Sequence, residues 1–149
     1  MVYKNALIVD DDMAFRLGLG FNLEDIGIMP DLARSYKEAA DMAMRKPYEL
    51  CISDGLEGEW LPLHEKLSSL NPNIRFILLS CDYKQLDAAK QKRIEAYDKS
   101  QTIKLIELIK SANHAPWAWD SSTGNKAQMI LTNETKHITW SPWMYTAVS

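Results

Sequence analysis

Across residues 1–111, short apolar runs alternate strictly with segments of helical periodicity, and this alternation limits the fold more than any other feature. The runs Ala6–Asp10, Met29–Arg34, Leu50–Asp54, Ile74–Ser80 and Ile94–Asp98 read as five strands. Strands separated by helices cannot be joined as hairpins; they pair in parallel through crossover helices. The third and fourth runs are almost wholly apolar, as expected of central strands covered on both faces. The second carries Pro30 and Asp31, which suits a sheet edge, where a missing backbone donor costs little. The expected fold class is α/β, a doubly wound five-stranded parallel sheet with helices on both faces.

The intervening segments carry helix signals. Phe15, Leu19 and Leu23 lie at helical spacing within Met13–Asp25. Ser35 followed by Glu38 forms a capping-box pattern ahead of a helix reaching about Arg45. Trp60, Leu63, Leu67 and Leu70 form one apolar stripe, with Pro62 tolerated in the first turn. Tyr83–Arg93 is helix-prone but polar, with Leu86 its one large aliphatic anchor, so it reads as a loosely held element. Ile103, Leu105, Ile106 and Ile109 anchor a final amphipathic helix.

Composition excludes several classes. The chain has 149 residues, of which 46% are hydrophobic and 25% charged, too apolar for a disordered protein. The longest apolar runs in strand segments, such as Ala6–Val9 and Phe76–Leu79, fall far short of the roughly 18 residues of a membrane span. A formal net charge of −3 opposes a dedicated nucleic-acid binder. The N-terminal apolar run is too short for a signal-peptide core, and Cys51 and Cys81 read as reduced, buried thiols, so a cytoplasmic location is expected. His64, His114 and His137 lack metal-ligand spacing and read as surface residues.

Residues 112–149 differ in character and are expected to form a separate C-terminal extension. They hold two basic and two acidic side chains but also Trp117, Trp119, Trp140 and Trp143. Gln128–Thr132 and Thr135–Trp140 can pair as a short hairpin around Asn133-Glu134, which needs a surface to pack on. Covering the chain's own first domain, binding a partner or second copy, and having no fixed structure all fit this composition.

Open parallel sheets bind ligands beyond the carboxyl ends of their strands. Strand one ends in Asp10, Asp11 and Asp12, strand three in Asp54 and strand four in Ser80, while Lys99 follows strand five. If strands one and three are neighbours, three carboxylates meet and need a cation to stay ionised together. Oxygen donors suit Mg²⁺, and a carboxylate beside a metal, a lysine and a hydroxyl is suited to accept a phosphoryl group. Asp12 alone reads as a helix N-cap.

These residues carry a resemblance over about residues 3–111. Leu7-Ile8-Val9-Asp10-Asp11-Asp12, Cys51-Ile52-Ser53-Asp54, Phe76-Ile77-Leu78-Leu79-Ser80 and Asp98-Lys99-Ser100 resemble the receiver domain of bacterial two-component response regulators, the CheY-like domains. The resemblance implies a flavodoxin-like strand order 2-1-3-4-5 and a phosphorelay role. Asp54 would accept the phosphoryl group from a histidine kinase or phosphotransfer protein. Asp10, Asp11, Asp54 and the backbone carbonyl of Leu56 would hold Mg²⁺, and Ser80 and Lys99 would attend the phosphoryl group. It further implies a protein that is not an enzyme beyond self-catalysed phosphorylation and dephosphorylation. Its output protein is unspecified, with a homodimer through the tail or the fourth-helix face as one form.

The chain departs from the family pattern in two loops and one strand. Gly58 stands where a proline is usual four residues after the acceptor. Ser100 stands where proline on a cis bond usually follows the lysine, so a trans bond and a displaced Lys99 are expected. Ala96 occupies the usual aromatic position, with Tyr97 one place later. These departures motivate an alternative, a pseudo-receiver acting by protein contact without phosphorylation. A haloacid-dehalogenase-type phosphohydrolase is a third reading, weakened because Asp98 is its one late acid and no cap insertion fits.

Overall fold

The computed structural model describes residues 2–114 and the backbone of two further short segments, 119–120 and 125–126. The chain divides into two compact units, Tyr3–Glu107 and a second comprising Met1–Val2 with Leu108–Ser149. The first contains five strands: β1 (Asn5–Val9), β2 (Met29–Ala33), β3 (Leu50–Ser53), β4 (Arg75–Ser80) and β5 (Glu95–Asp98). All pair in parallel in the order β2-β1-β3-β4-β5. The expected strand order is therefore observed, and Pro30 lies on an edge strand, where its ring interrupts no ladder between two neighbours.

Four helices separate the strands: α1 (Met13–Asp25), α2 (Tyr36–Arg45), α3 (Trp60–Leu70) and α4 (Tyr83–Gln91). A fifth, α5, spans Thr102–His114. Their starts follow local chemistry. Asp12 caps α1 by accepting from Phe15 N at 3.2 Å, and Ser35 caps α2 by accepting from Glu38 N at 3.1 Å. Glu38 reaches back to the Arg34 N–H at 2.8 Å, one residue earlier than a standard capping box.

Alternation along the strands sends their side chains to opposite faces. Leu7, Val9, Cys51, Phe76 and Leu78 join Ala39, Trp60, Leu63, Leu67, Leu86 and Ala89 in one buried cluster under α2, α3 and α4. Ile8, Ile52, Ile77 and Leu79 occupy the alternate positions and are also buried, as are Leu19 and Leu23 of α1. The polar helix α4 is held at two buried points, Leu86 and Ala89.

Three sequence expectations are corrected. Cys81 is exposed, because it lies one residue beyond β4 where the sheet no longer covers it, whereas Cys51 within β3 is buried. Ile103 is 69% exposed; the stripe of α5 in this unit runs instead through Leu105 and Ile106. His64 is half-buried and meets Phe76 edge-on at 5.0 Å, and burial lowers its pKa. The proposed hairpin at Gln128–Thr132 and Thr135–Trp140 lies outside the described residues. Within the second unit, Trp119–Asp120 and Asn125–Lys126 pair antiparallel. Among the described residues, no helix is long and apolar enough to cross a membrane.

The two ends of the α3 stripe should respond differently to truncation. Leu63 is fully buried and Leu70 is 45% exposed. Leu63→Ala should lower unfolding stability in urea by about 2–5 kcal/mol, and Leu70→Ala should change it by less than about 0.5 kcal/mol.

Candidate functional site

The site is built by strand register. Val9 of β1 pairs with Ser53 of β3, so the next residues, Asp10 and Asp54, emerge side by side. The Asp54 N–H donates to the Val9 carbonyl at 2.7 Å, extending the ladder one step past the strand. Ser80 of β4 pairs with Asp98 of β5, which delivers Lys99 to the same edge. Asp10, Asp11 and Asp54 present carboxylate oxygens that all lie within 4.8 Å of one another. Asp10 is buried, Asp54 intermediate and Asp11 exposed, so the cluster opens from a dry floor to solvent.

Lys99 is the countercharge. Its Nζ lies 2.9 Å from Asp10 Oδ2 and 2.8 Å from Asp54 Oδ1. It also sits 4.5 Å from the centroid of the Phe15 ring, whose face favours a cation. The remaining carboxylate oxygens accept backbone donors. Asp10 Oδ1 accepts from Asp12 N at 2.8 Å, and Asp54 Oδ2 accepts from Leu56 N at 2.9 Å. Arg16 Nη1 donates to the Asp10 carbonyl at 2.6 Å, fixing the strand end from helix α1.

The ionisation pattern follows from this arrangement. Loss of water on burial pushes the Asp10 carboxyl above its ordinary value, and the Asp54 charge adds to the effect. The hydrogen bonds from Lys99 and Asp12 pull it down without cancelling the rise. Burial works against the Lys99 ammonium, yet the hydrogen bonds and charges of Asp54 and Asp10 outweigh it and hold the lysine above its usual pKa. One cation thus serves two carboxylates, and a third acid stands beside them, so the acids of the site outnumber its ammonium.

Lys99 is not displaced by the loss of proline. All peptide bonds among the described residues are trans, including Lys99–Ser100. A capping box replaces the proline: Asp98 Oδ1 accepts from Ser100 N at 2.8 Å, and Gln101 Oε1 accepts from Asp98 N at 3.3 Å. Thr102 Oγ1 donates to the Lys99 carbonyl at 2.6 Å. A short 3₁₀ turn over Lys99–Gln101 is therefore held at both ends. Asp98, the late acid that a phosphohydrolase would need, is spent on this cap.

Gly58 also has a physical reason. Leu56, Glu57 and Gly58 all have positive φ, of 49°, 54° and 101°. Proline, locked near −65°, cannot occupy the last of these positions, whereas glycine adopts it without strain. The two non-glycine residues in left-handed conformation cost roughly 1–2 kcal/mol each. They carry the turn that brings the Leu56 N–H onto Asp54. Asp11, Arg34, Leu56, Glu57 and Glu59 line an open depression of about 260 Å³ against Asp54.

Ser80 is buried at the same edge, but its hydroxyl donates to Gln85 Oε1 at 2.9 Å and accepts from Asp82 N at 3.0 Å. Tyr97, the aromatic next to Ala96, is engaged elsewhere: its hydroxyl donates to Glu95 Oε2 at 2.7 Å. Burial and that hydrogen bond push its phenol up to about 12. Sequence reasoning missed four members of this neighbourhood. Phe15 reads as part of the apolar spacing of α1, and Arg16, Gln85 and Gln101 carry no motif.

The doubly wound sheet, with an acid cluster and a lysine at its carboxyl edge, defines the class of domain. Solved structures of response regulator receiver domains share the architecture. A CheY-like receiver domain protein from Methanospirillum hungatei JF-1 matches with a TM-score of 0.64 and 26% identity, covering 74% of this chain and 94% of its own. A response regulator from Thermotoga maritima matches with a TM-score of 0.64 and 23% identity over 76% of this chain and 100% of its own. One from Burkholderia pseudomallei, solved with a phosphorylated aspartic acid, a calcium ion and citrate, matches with a TM-score of 0.59 and 23% identity, covering 79% and 75% of the two chains. No protein-family model and no curated protein matches the chain. The fold is that of a CheY-like response regulator receiver domain.

Raised Asp10 means that folding favours its protonated form, so its contribution to stability falls as pH rises from the ordinary carboxylate value through the raised one. Lys99→Met removes the cation that limits this rise. The variant should lose about 3–5 kcal/mol at neutral pH, and the deficit should shrink when the measurement is repeated at an acidic pH, as Asp10 takes up a proton. Urea unfolding at the two pH values measures both. A deficit that grows on acidification would contradict the charge arrangement.

Proposed function

We propose that this domain is a phospho-receiver in a phosphorelay, with Asp54 as acceptor. The observation that carries the reading is the Lys99 ammonium placed on both Asp54 and Asp10. In this reading an Asp54 carboxylate oxygen attacks the phosphorus of a phosphohistidine on a histidine kinase or phosphotransfer protein. The P–N bond breaks, the imidazole leaves, and an acyl phosphate remains on Asp54. Lys99 turns its charge from the carboxylate to the new phosphoryl oxygens, and the Ser80 hydroxyl supplies a donor. The depression lined by Arg34 and Asp11 leaves Asp54 open to a donor.

The all-oxygen donor set of Asp10, Asp11 and Asp54 fits a hard divalent cation, and Mg²⁺ is the ion we assign to it, with the Leu56 carbonyl as a further ligand. Bound there, the ion would offset the negative charge that three carboxylates and a phosphoryl group bring together. The relative from Burkholderia pseudomallei, with its phosphorylated aspartic acid and calcium ion, supports both assignments. Residues 1–111 form the receiver in this reading, and residues 112–149 an extension that acts with an output protein or a second copy. The pseudo-receiver alternative draws on the loop departures at Gly58 and Ser100; against it, Lys99 reaches both Asp10 and Asp54 despite the missing proline.

Incubation with acetyl phosphate and Mg²⁺, followed by intact-mass measurement, tests the proposal. Wild type should gain one phosphate-sized increment, and Asp54→Asn or omission of Mg²⁺ should abolish it. No gain in wild type would return the pseudo-receiver to the front.

A further inference from the structure

Ser80 is the one site residue whose hydroxyl proton is committed away from the carboxylates. It is given to Gln85 Oε1 at 2.9 Å, while the oxygen accepts from Asp82 N at 3.0 Å. Both partners belong to the start of α4: Asp82 is its N-cap, accepting from Lys84 N at 2.9 Å, and Gln85 stands in its first turn. The Gln85 amide is in turn seated on Gly55, the residue after Asp54. A Cβ added at Gly55 would fall 1.7 Å from Gln85 Oε1 and 2.6 Å from Cδ. The berth exists because position 55 has no side chain, although its φ of −66° would suit any residue. Gln85 therefore bridges the end of β3, which carries Asp54, and the end of β4.

We infer that Gln85 is a resting-state latch: seated on Gly55, it holds the Ser80 hydroxyl in a bond that must break before Ser80 can serve a phosphoryl group on Asp54. It is a positioning residue, since it acts through Ser80. The inference rests on the phospho-receiver reading and goes beyond it in naming the side chain that opposes phosphorylation. A hydroxyl has one proton, so donation to a phosphoryl oxygen and donation to Gln85 exclude each other. When the proton turns to Asp54, the first turn of α4 loses a tie to the sheet. That helix is held by only two buried side chains, Leu86 and Ala89. A single hydrogen bond is thus a sizeable share of what fixes its start.

Two variants release the latch from opposite sides. Gln85→Met keeps the length and removes the acceptor; Gly55→Ala fills the berth and evicts the amide. Each should raise the rate of phosphorylation by acetyl phosphate with Mg²⁺ about three- to ten-fold, the worth of one neutral hydrogen bond. In a Ser80→Ala background neither should have an effect beyond Ser80→Ala itself. Faster labelling that persists without Ser80, or no change from either variant, would overturn the latch. If wild type is not labelled at all, the receiver reading fails and the latch is judged separately. The cycle of Ser80→Ala and Gln85→Met in urea unfolding of the unphosphorylated full chain then decides: coupled losses support the bond and additive losses overturn it.

Discussion

Three acids at one sheet edge are tolerable because a single ammonium is held between two of them. The Lys99 contacts to Asp10 and Asp54 are the interaction around which the carboxyl edge is organised. Asp10 is too buried to be solvated by water, so without a cation it would stay ionised only at considerable cost. Every neighbouring feature serves to keep that cation in reach. The β1–β3 and β4–β5 registers bring the strand ends level, the Asp98–Gln101 capping box fixes the turn, and the Phe15 ring floors it.

The same edge combines a rigid part with a looser one. Asp10 and Asp54 stand directly beyond central strands and have both carboxylate oxygens engaged. Ser80 is fixed instead by the start of a polar helix with shallow anchoring. The Ser80 hydroxyl thereby ties the edge that carries Asp54 to the start of α4, with no aromatic at position 96. The strained turn at Leu56 and Glu57 adds a third element, one that aims a backbone donor at Asp54 and leaves the depression beside it open.

Much of this was legible in the sequence. Strict alternation of strand and helix patterns implied the parallel sheet, and Pro30 implied an edge for the second strand. The acids and the lysine were found by asking what stands at strand ends, a question that depends on topology alone. What was not legible depends on three-dimensional contact. A capping box that substitutes for proline needs the turn geometry around Asp98, and the sequence pattern alone suggested a displaced lysine. Gln85 has no motif because its role comes from the space above Gly55. Ile103 and Cys81 were misplaced for a simpler reason: apolar character says a residue can be buried, and only position decides whether it is.

The proposed receiver chemistry requires Asp10, Asp11 and Asp54 to form one cation site that Lys99 partly neutralises. Calorimetric titration of Mg²⁺ into the full chain tests this most directly, with Asp11→Asn and Lys99→Met beside the wild type. The account predicts one-site binding in wild type, sharply weaker binding in Asp11→Asn, and tighter binding in Lys99→Met, where a competing positive charge is gone. Identical heats in wild type and Asp11→Asn, or weaker binding in Lys99→Met, would contradict it.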